Sequence, residues 1–190
     1  MGNIFRNPGI LYEVEIKFVL QALDAKGGII DLGAILKNGR GSYLMFQAIA
    51  SHYAGLSGGT EGKGSDLVEE DSGDGYEVKS YRDPENHPKM DEVHCGPSGV
   101  FANNSGAAPY KKCLKEGDYK GALKICFEKG YGKNDYYLFT NTAGYAPGQK
   151  YFRYLIIHRN DLVRIVEKED PAKVSRAVLL GTAKRKQKIA

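Results

Sequence analysis

The sequence predicts an α+β domain built on one mixed β-sheet with helices over both faces, and three observations carry that expectation. Strand candidates occur in groups, and helical segments flank the groups. The 190 residues contain no internal repeat and no linker-like stretch, so the elements belong to one domain. Hydrophobic residues at 42% and charged residues at 26% suit a chain that buries a core in water without disulfide or metal staples.

From the N-terminus, Leu11 to Leu23 carries Tyr12, Ile16, Val19, Leu20 and Leu23 at helical spacing and predicts an amphipathic helix, stopped by Gly27-Gly28. The turn Asn38-Gly39-Arg40-Gly41 leads into a second helix from Ser42 to Tyr53, with Leu44 to Ala50 as its apolar body. Leu56 to Gly64, rich in glycine, is a loop. Ser65 to Glu70 and Tyr76 to Tyr81 are strands joined by Asp71-Ser72-Gly73-Asp74-Gly75, whose turn residues predict an antiparallel hairpin. The irregular stretch from Arg82 to Ala108, broken by Pro84, Pro88 and Pro97, has the length of a functional loop. Two helices follow, Pro109 to Glu116 and Asp118 to Lys129, and then a strand from Tyr136 to Thr140. Ala143 to Lys150 is a Gly/Pro loop, Tyr151 to Ile157 a strand, and Asn160 or Asp161 caps a short helix to Glu167. Residues 1–183 form the domain, and 184–190, with Lys184-Arg185-Lys186-Gln187-Lys188, are expected as a flexible basic tail.

Several function classes drop out on composition. No apolar run reaches the roughly 18 residues of a membrane span and the N-terminus has no signal-peptide pattern, so a cytoplasmic location is expected. Cys95, Cys113 and Cys126 are odd in number and widely spaced, which favours reduced thiols over a zinc site or a disulfide framework. The glycine-rich segments lack the Walker A lysine motif. His87, His94 and Asn103-Asn104 have the residue types of an HNH nuclease but not its spacing. A net charge of +4, with tyrosines and basic residues interleaved from Tyr145 to Arg164, suits a surface that meets nucleic acid.

The stretch most informative about chemistry is Gly64-Ser65-Asp66-Leu67 followed by Gly75-Tyr76-Glu77-Val78-Lys79. Side chains alternate along a strand, so Glu77 and Lys79 project together while Val78 enters the core. Hairpin pairing brings Asp66 beside them, and two carboxylates and an ammonium converge. Such a spot suits phosphodiester hydrolysis. Hard oxygen ligands hold Mg²⁺, which keeps waters and takes phosphate oxygens into its shell, and a lysine offsets developing negative charge.

This pattern resembles the PD-(D/E)xK nuclease superfamily, to which most type II restriction enzymes belong, with Ser65 standing where the motif's name has proline. The resemblance implies a restriction-endonuclease-like core: a helix, a hairpin with a third strand, a helix and another strand. It implies Asp66 and Glu77 as metal ligands and Lys79 as the catalytic lysine, with one or two Mg²⁺ ions and Mn²⁺ as a substitute. An auxiliary ligand is often drawn from the family's first helix, which points to Glu13 ahead of Glu15, with Gln47 and His52 weaker choices on the second helix.

Segments beside the hairpin are then expected to face double-stranded DNA. The first loop brings Arg82, Lys89, His94, Ser98, Asn103, Asn104 and Ser105, and the second Asn141, Thr142, Gln149, Lys150 and Arg153, all able to bond base edges or phosphates. A site-specific enzyme reading a palindrome implies a homodimer, with the first two helices as its surface. A repair, recombination or junction-resolving nuclease of the same fold and a non-enzymatic DNA-binding protein remain the alternatives.

Overall fold

A computed structural model describes residues 4–15, 21–23, 25–31, 39–58, 64–83, 89, 91–96, 107–141, 151–167 and 170–189. The chain runs β1 (Ile10–Glu15), β2 (Gln21–Leu23), β3 (Ile29–Asp31), α1 (Gly39–Ala54), β4 (Ser57–Gly58), β5 (Leu67–Val68), β6 (Gly75–Ser80), β7 (Glu92–His94), α2 (Ala107–Lys115) and α3 (Tyr119–Lys129). A 3₁₀ turn at Tyr131–Lys133 follows, then β8 (Tyr136–Thr140), β9 (Tyr151–His158), α4 (Arg159–Val166), β10 (Lys173–Ser175), α5 (Arg176–Gly181) and β11 (Arg185–Ile189). Among the described residues, no helix is long and apolar enough to cross a membrane.

Seven strands form one mixed sheet in the order β11-β1-β9-β8-β6-β5-β4. β11 lies parallel to β1 and β6 parallel to β8, and the other neighbours are antiparallel. Each face carries its own core. On one, Ile10, Tyr12 and Val14 of β1, Tyr76 and Val78 of β6, Leu138 of β8 and Tyr154 and Ile156 of β9 pack with Ala50 and Ala54 of α1. On the other, Leu11, Tyr137, Phe139, Leu155 and Ile157 pack with Tyr110 of α2, Ala122 and Cys126 of α3, Leu162 and Val166 of α4 and Leu179 of α5. The expected mixed sheet covered on both faces is thus the observed architecture.

The largest departure lies at the N-terminus, where the expected helix from Leu11 to Leu23 is strand β1 followed by β2, with residues 16–20 outside the described set. β1 is flanked on both sides and buried on both faces, so its apolar residues run together instead of alternating, and such a run fits a helical template as well as a strand. The proposed dimer surface of two apolar helices therefore loses its first member: Leu11 is 4% exposed and Tyr12 1%. At the other terminus, the expected basic tail supplies β11, whose backbone pairs with β1 from Ile10↔Arg185 to Val14↔Ile189. Charge at four of the five positions 184–188 hid a strand with one apolar anchor, the buried Ile189. Ser57–Gly58, expected as loop, pairs with β5 as a third strand of the hairpin region. Within the long segment after Arg82, β7 pairs with β10 in a separate two-stranded sheet. The second helix begins at Gly39, inside the turn expected at Asn38–Gly41, while the hairpin, both helices after residue 106 and the strands β8 and β9 lie where expected.

Candidate active site

The register of the hairpin sets the site. Leu67 pairs with Tyr76 and Val68 with Gly75, which leaves Asp66 opposite Glu77, and the Asp66 N–H donates to the Tyr76 carbonyl at 3.0 Å. Gly64 turns the chain into this approach with φ +80°, a conformation costly for any residue with a side chain. Tyr76 and Val78 point into the α1-side core, so Glu77 and Lys79 share the opposite face with Tyr137 on the neighbouring β8. The expected alternation holds for Glu77 and Lys79, and Asp66 lies across the hairpin from Glu77 with its carboxylate on the Val78 N–H.

Each member is held by named partners. Asp66 Oδ2 accepts the backbone N–H of Val78 at 2.8 Å, which ties its carboxylate to β6. From α1, Gln47 donates its Nε2–H to the Asp66 carbonyl at 3.1 Å and locks that backbone from the opposite layer. Lys79 Nζ lies 2.5 Å from Glu77 Oε1, with the two side chains 17% and 21% exposed. Glu77 Oε2 accepts from Asn134 Nδ2 at 3.2 Å, and Asn134 Oδ1 accepts from Ser65 Oγ at 2.7 Å.

Glu77 and Lys79 open onto a small cleft of about 140 Å³, also lined by Gly64, Lys129, Lys133 and Asn134, with buried Cys95 and Tyr137 beneath. α3, capped at its start by Asp118 accepting the Gly121 N–H, runs toward this cleft and delivers Lys129 in its last turn. The 3₁₀ turn after it delivers Lys133. Three lysines and one carboxylate therefore line the cleft, a balance that attracts an anion once Glu77 is neutralised by its partners. Burial, and next the Glu77 charge, push the Tyr137 phenol well above its ordinary range, so it stays protonated on the cleft floor.

Other expected site residues lie elsewhere. Glu13 is on a strand, not a helix, and three strand spacings of about 4.8 Å separate β1 from β6. Its Oε2 accepts from Arg153 Nε at 2.7 Å, so Glu13 is not part of the cluster formed by Asp66 and Glu77. Arg153 also donates to Asp83 Oδ2 at 2.9 Å. Asn141 is 2% exposed and donates to Asp83 Oδ2 and to the Tyr151 carbonyl, while its Oδ1 accepts the Arg153 N–H. Both were expected at a DNA surface, and both are committed to an internal network. Arg82 is half-buried, with its carbonyl accepting from Arg176. Lys89 is exposed and lines a second depression with Arg82, Asp91 and His94. Ser98, Asn103, Asn104, Ser105, Thr142, Gln149 and Lys150 lie outside the described residues. His52 is exposed, and His158, at the end of β9, accepts the Asn160 N–H and caps α4.

Among the described residues, no group of three or more His, Cys, Asp or Glu is arranged to hold a metal ion. The hairpin carries two carboxylates, Asp66 and Glu77, and hard oxygen donors in that number are what Mg²⁺ takes beside water and phosphate. Lys129, Lys133 and Asn134 had no signal in the sequence, since only the parallel β6/β8 pairing brings residues so distant along the chain beside Glu77. No family model matches the chain, and no curated protein or solved structure matches it.

Proposed function

We propose that this chain is a metal-dependent endonuclease that hydrolyses phosphodiester bonds in double-stranded DNA, with site-specific restriction-type cleavage as its role. One observation carries the reading: Asp66 and Glu77 face each other across the hairpin, with Lys79 paired to Glu77 at the mouth of a lysine-lined cleft. The order α1, then β4, β5 and β6, then α2 and α3, then β8 supports it further, because it follows the core of the nuclease superfamily that the motif resembles.

In this reading Lys129 and Lys133 draw the phosphate backbone to the cleft, and the contact is electrostatic and blind to sequence. Asp66 and Glu77 would hold Mg²⁺, which when bound would supply charge neutralisation at the phosphoryl oxygens and make water a better nucleophile. Lys79 orients the attacking water and offsets the negative charge that develops on the phosphoryl group. Water adds to phosphorus, the bond to the leaving oxygen breaks, and a proton passes to that oxygen. Base reading falls to the segments after Arg82 and after Asn141, and a homodimer matches the symmetry of a palindromic site.

Incubation of the full chain with plasmid or phage DNA in Mg²⁺ tests the reading. Discrete fragments that disappear in EDTA are expected. Random nicking that needs Mg²⁺ would favour a repair or junction-resolving role, and binding without cutting a non-enzymatic DNA-binding protein. Cutting that proceeds equally well in EDTA would remove the metal from the reaction.

A further inference from the structure

The position that departs from the motif's name is Ser65, and the structure gives its hydroxyl a partner that proline lacks. Ser65 Oγ donates to Asn134 Oδ1 at 2.7 Å, and Asn134 Nδ2 donates to Glu77 Oε2 at 3.2 Å. The sequence of donors is chemically forced: a carboxylate oxygen only accepts, so the amide must turn its NH₂ to Glu77 and its oxygen to the serine. We propose that Ser65 and Asn134 form a positioning relay for Glu77, fixing which way its carboxylate faces and so how tightly the site holds a divalent cation. This rests on the nuclease reading above.

Three further observations support the relay. Asn134 is 3% exposed, so its amide does not exchange these bonds for water at will. The backbone beneath it is clamped: the Asp135 N–H donates to the Gly75 carbonyl at 2.9 Å and the Gly75 N–H to Asp135 Oδ2 at 3.1 Å. The Arg159 N–H donates to the Asp135 carbonyl at 2.8 Å, and the Arg159 guanidinium to that of Asn134 at 3.2 Å. Finally, the link passes directly over Gly75, where a Cβ would collide with Ser65 Oγ and touch Asn134 Oδ1. The absence of a side chain at Gly75 makes room for the contact. With Lys79 on Oε1 and Asn134 on Oε2, Glu77 is gripped through both oxygens, and Asn134 acts on it without touching the reacting atoms.

Groups that orient a metal-binding side chain typically change metal affinity by about 10- to 100-fold when removed. The test is calorimetric titration of the full chain with Mn²⁺ for the wild type, Asn134→Ala, Ser65→Ala and the double variant, beside thermal unfolding and plasmid cleavage in Mg²⁺. Asn134→Ala is expected to bind Mn²⁺ about 10-fold more weakly and Ser65→Ala less severely so. The double variant should be no worse than Asn134→Ala alone, because a serine acting through the amide has nothing left to act on. Wild-type Mn²⁺ affinity in a folded Asn134→Ala, or losses that simply add, would overturn the relay. Should Asn134→Ala fail to fold, Ser65→Ala decides: weakened Mn²⁺ binding at unchanged unfolding temperature supports the relay, and unchanged binding overturns it. A wild type that takes up no Mn²⁺ would overturn the nuclease reading as well, whereas one that binds Mn²⁺ and cuts DNA while Asn134→Ala binds equally well overturns the relay alone.

Discussion

The same face of the sheet carries two clusters with matching chemistry. Near the hairpin, Glu77, Lys79 and Asn134 bring together a carboxylate, a cation and a side-chain amide. Toward the other edge, Glu13 and Asp83, Arg153 and Asn141 do the same. Arg153 bridges two carboxylates and Asn141 uses both ends of its amide internally, with Asp83 only 3% exposed. The hairpin cluster instead lines a cleft and has further lysines around it. A carboxylate–cation pair therefore says little by itself. The cluster closed on its own partners holds the bases of chain segments together, because it ties Asp83, Asn141 and Tyr151 to β1, whereas the cluster open to a cleft has room for a ligand.

That contrast is testable from both sides. The largest effect is expected at Arg153: Arg153→Met leaves the buried Asp83 and the half-buried Glu13 without their cation and should cost about 3–5 kcal/mol of stability in urea unfolding. A change below about 1 kcal/mol would show that the network is a surface pair after all.

Next in size are the hairpin residues, where rate and not stability should respond. Lys79→Met and Asp66→Asn should each lower single-turnover cleavage by about 10²–10³-fold while gel-shift binding in Ca²⁺ persists. Asparagine is the better replacement because it keeps an oxygen to accept the Val78 N–H, which an alanine would leave unsatisfied at a cost of about 1–3 kcal/mol. Near-normal cutting by both variants places the reaction elsewhere, and loss of folding by both would make this cluster structural too.

Alkaline pH probes the cores behind both clusters. Burial raises the phenols of Tyr81, Tyr137 and Tyr154 above their ordinary value. The unfolded chain ionises its tyrosines near pH 10 and these folded ones stay neutral, so stability is intact below about pH 10 and falls as pH rises further. Each should contribute a loss of about 1.4 kcal/mol per pH unit while it stays neutral in the fold. Tyrosinate absorbance near pH 10 that reaches the value for all 13 tyrosines ahead of unfolding would contradict this.

The smallest effect is expected at the cleft rim. Lys129→Ala and Lys133→Ala should weaken DNA binding evenly across sequences and lower the slope of log affinity against log salt by about 1 each. An unchanged slope would separate the cleft from the phosphate backbone.

Local chemistry made much of this molecule legible from its sequence. Turn residues between Ser65 and Tyr81 announced the hairpin, alternation put Glu77 and Lys79 on one face with Val78 opposite, and apolar spacing marked the helices after residue 106, although His158 and not Asn160 or Asp161 caps α4. Those features depend on neighbours within a few residues. The misread elements depend on neighbours far along the chain. β1 is a strand because β9 and β11 satisfy its backbone on both sides, and the basic segment at 185–189 is a strand because β1 does the same for it.

The candidate site divides along the same line. Asp66, Glu77 and Lys79 were readable because one hairpin holds all three. Only the tertiary structure placed Asn134, Lys129 and Lys133 beside Glu77, since the parallel β6/β8 pairing needs the crossover through α2 and α3 and leaves no trace in local spacing. It also separated Glu13, Arg153 and Asn141 from that site, because a polar residue in sequence looks the same whether its partner will be water, a ligand or another side chain. Burial decides which, and burial is a property of the assembled sheet.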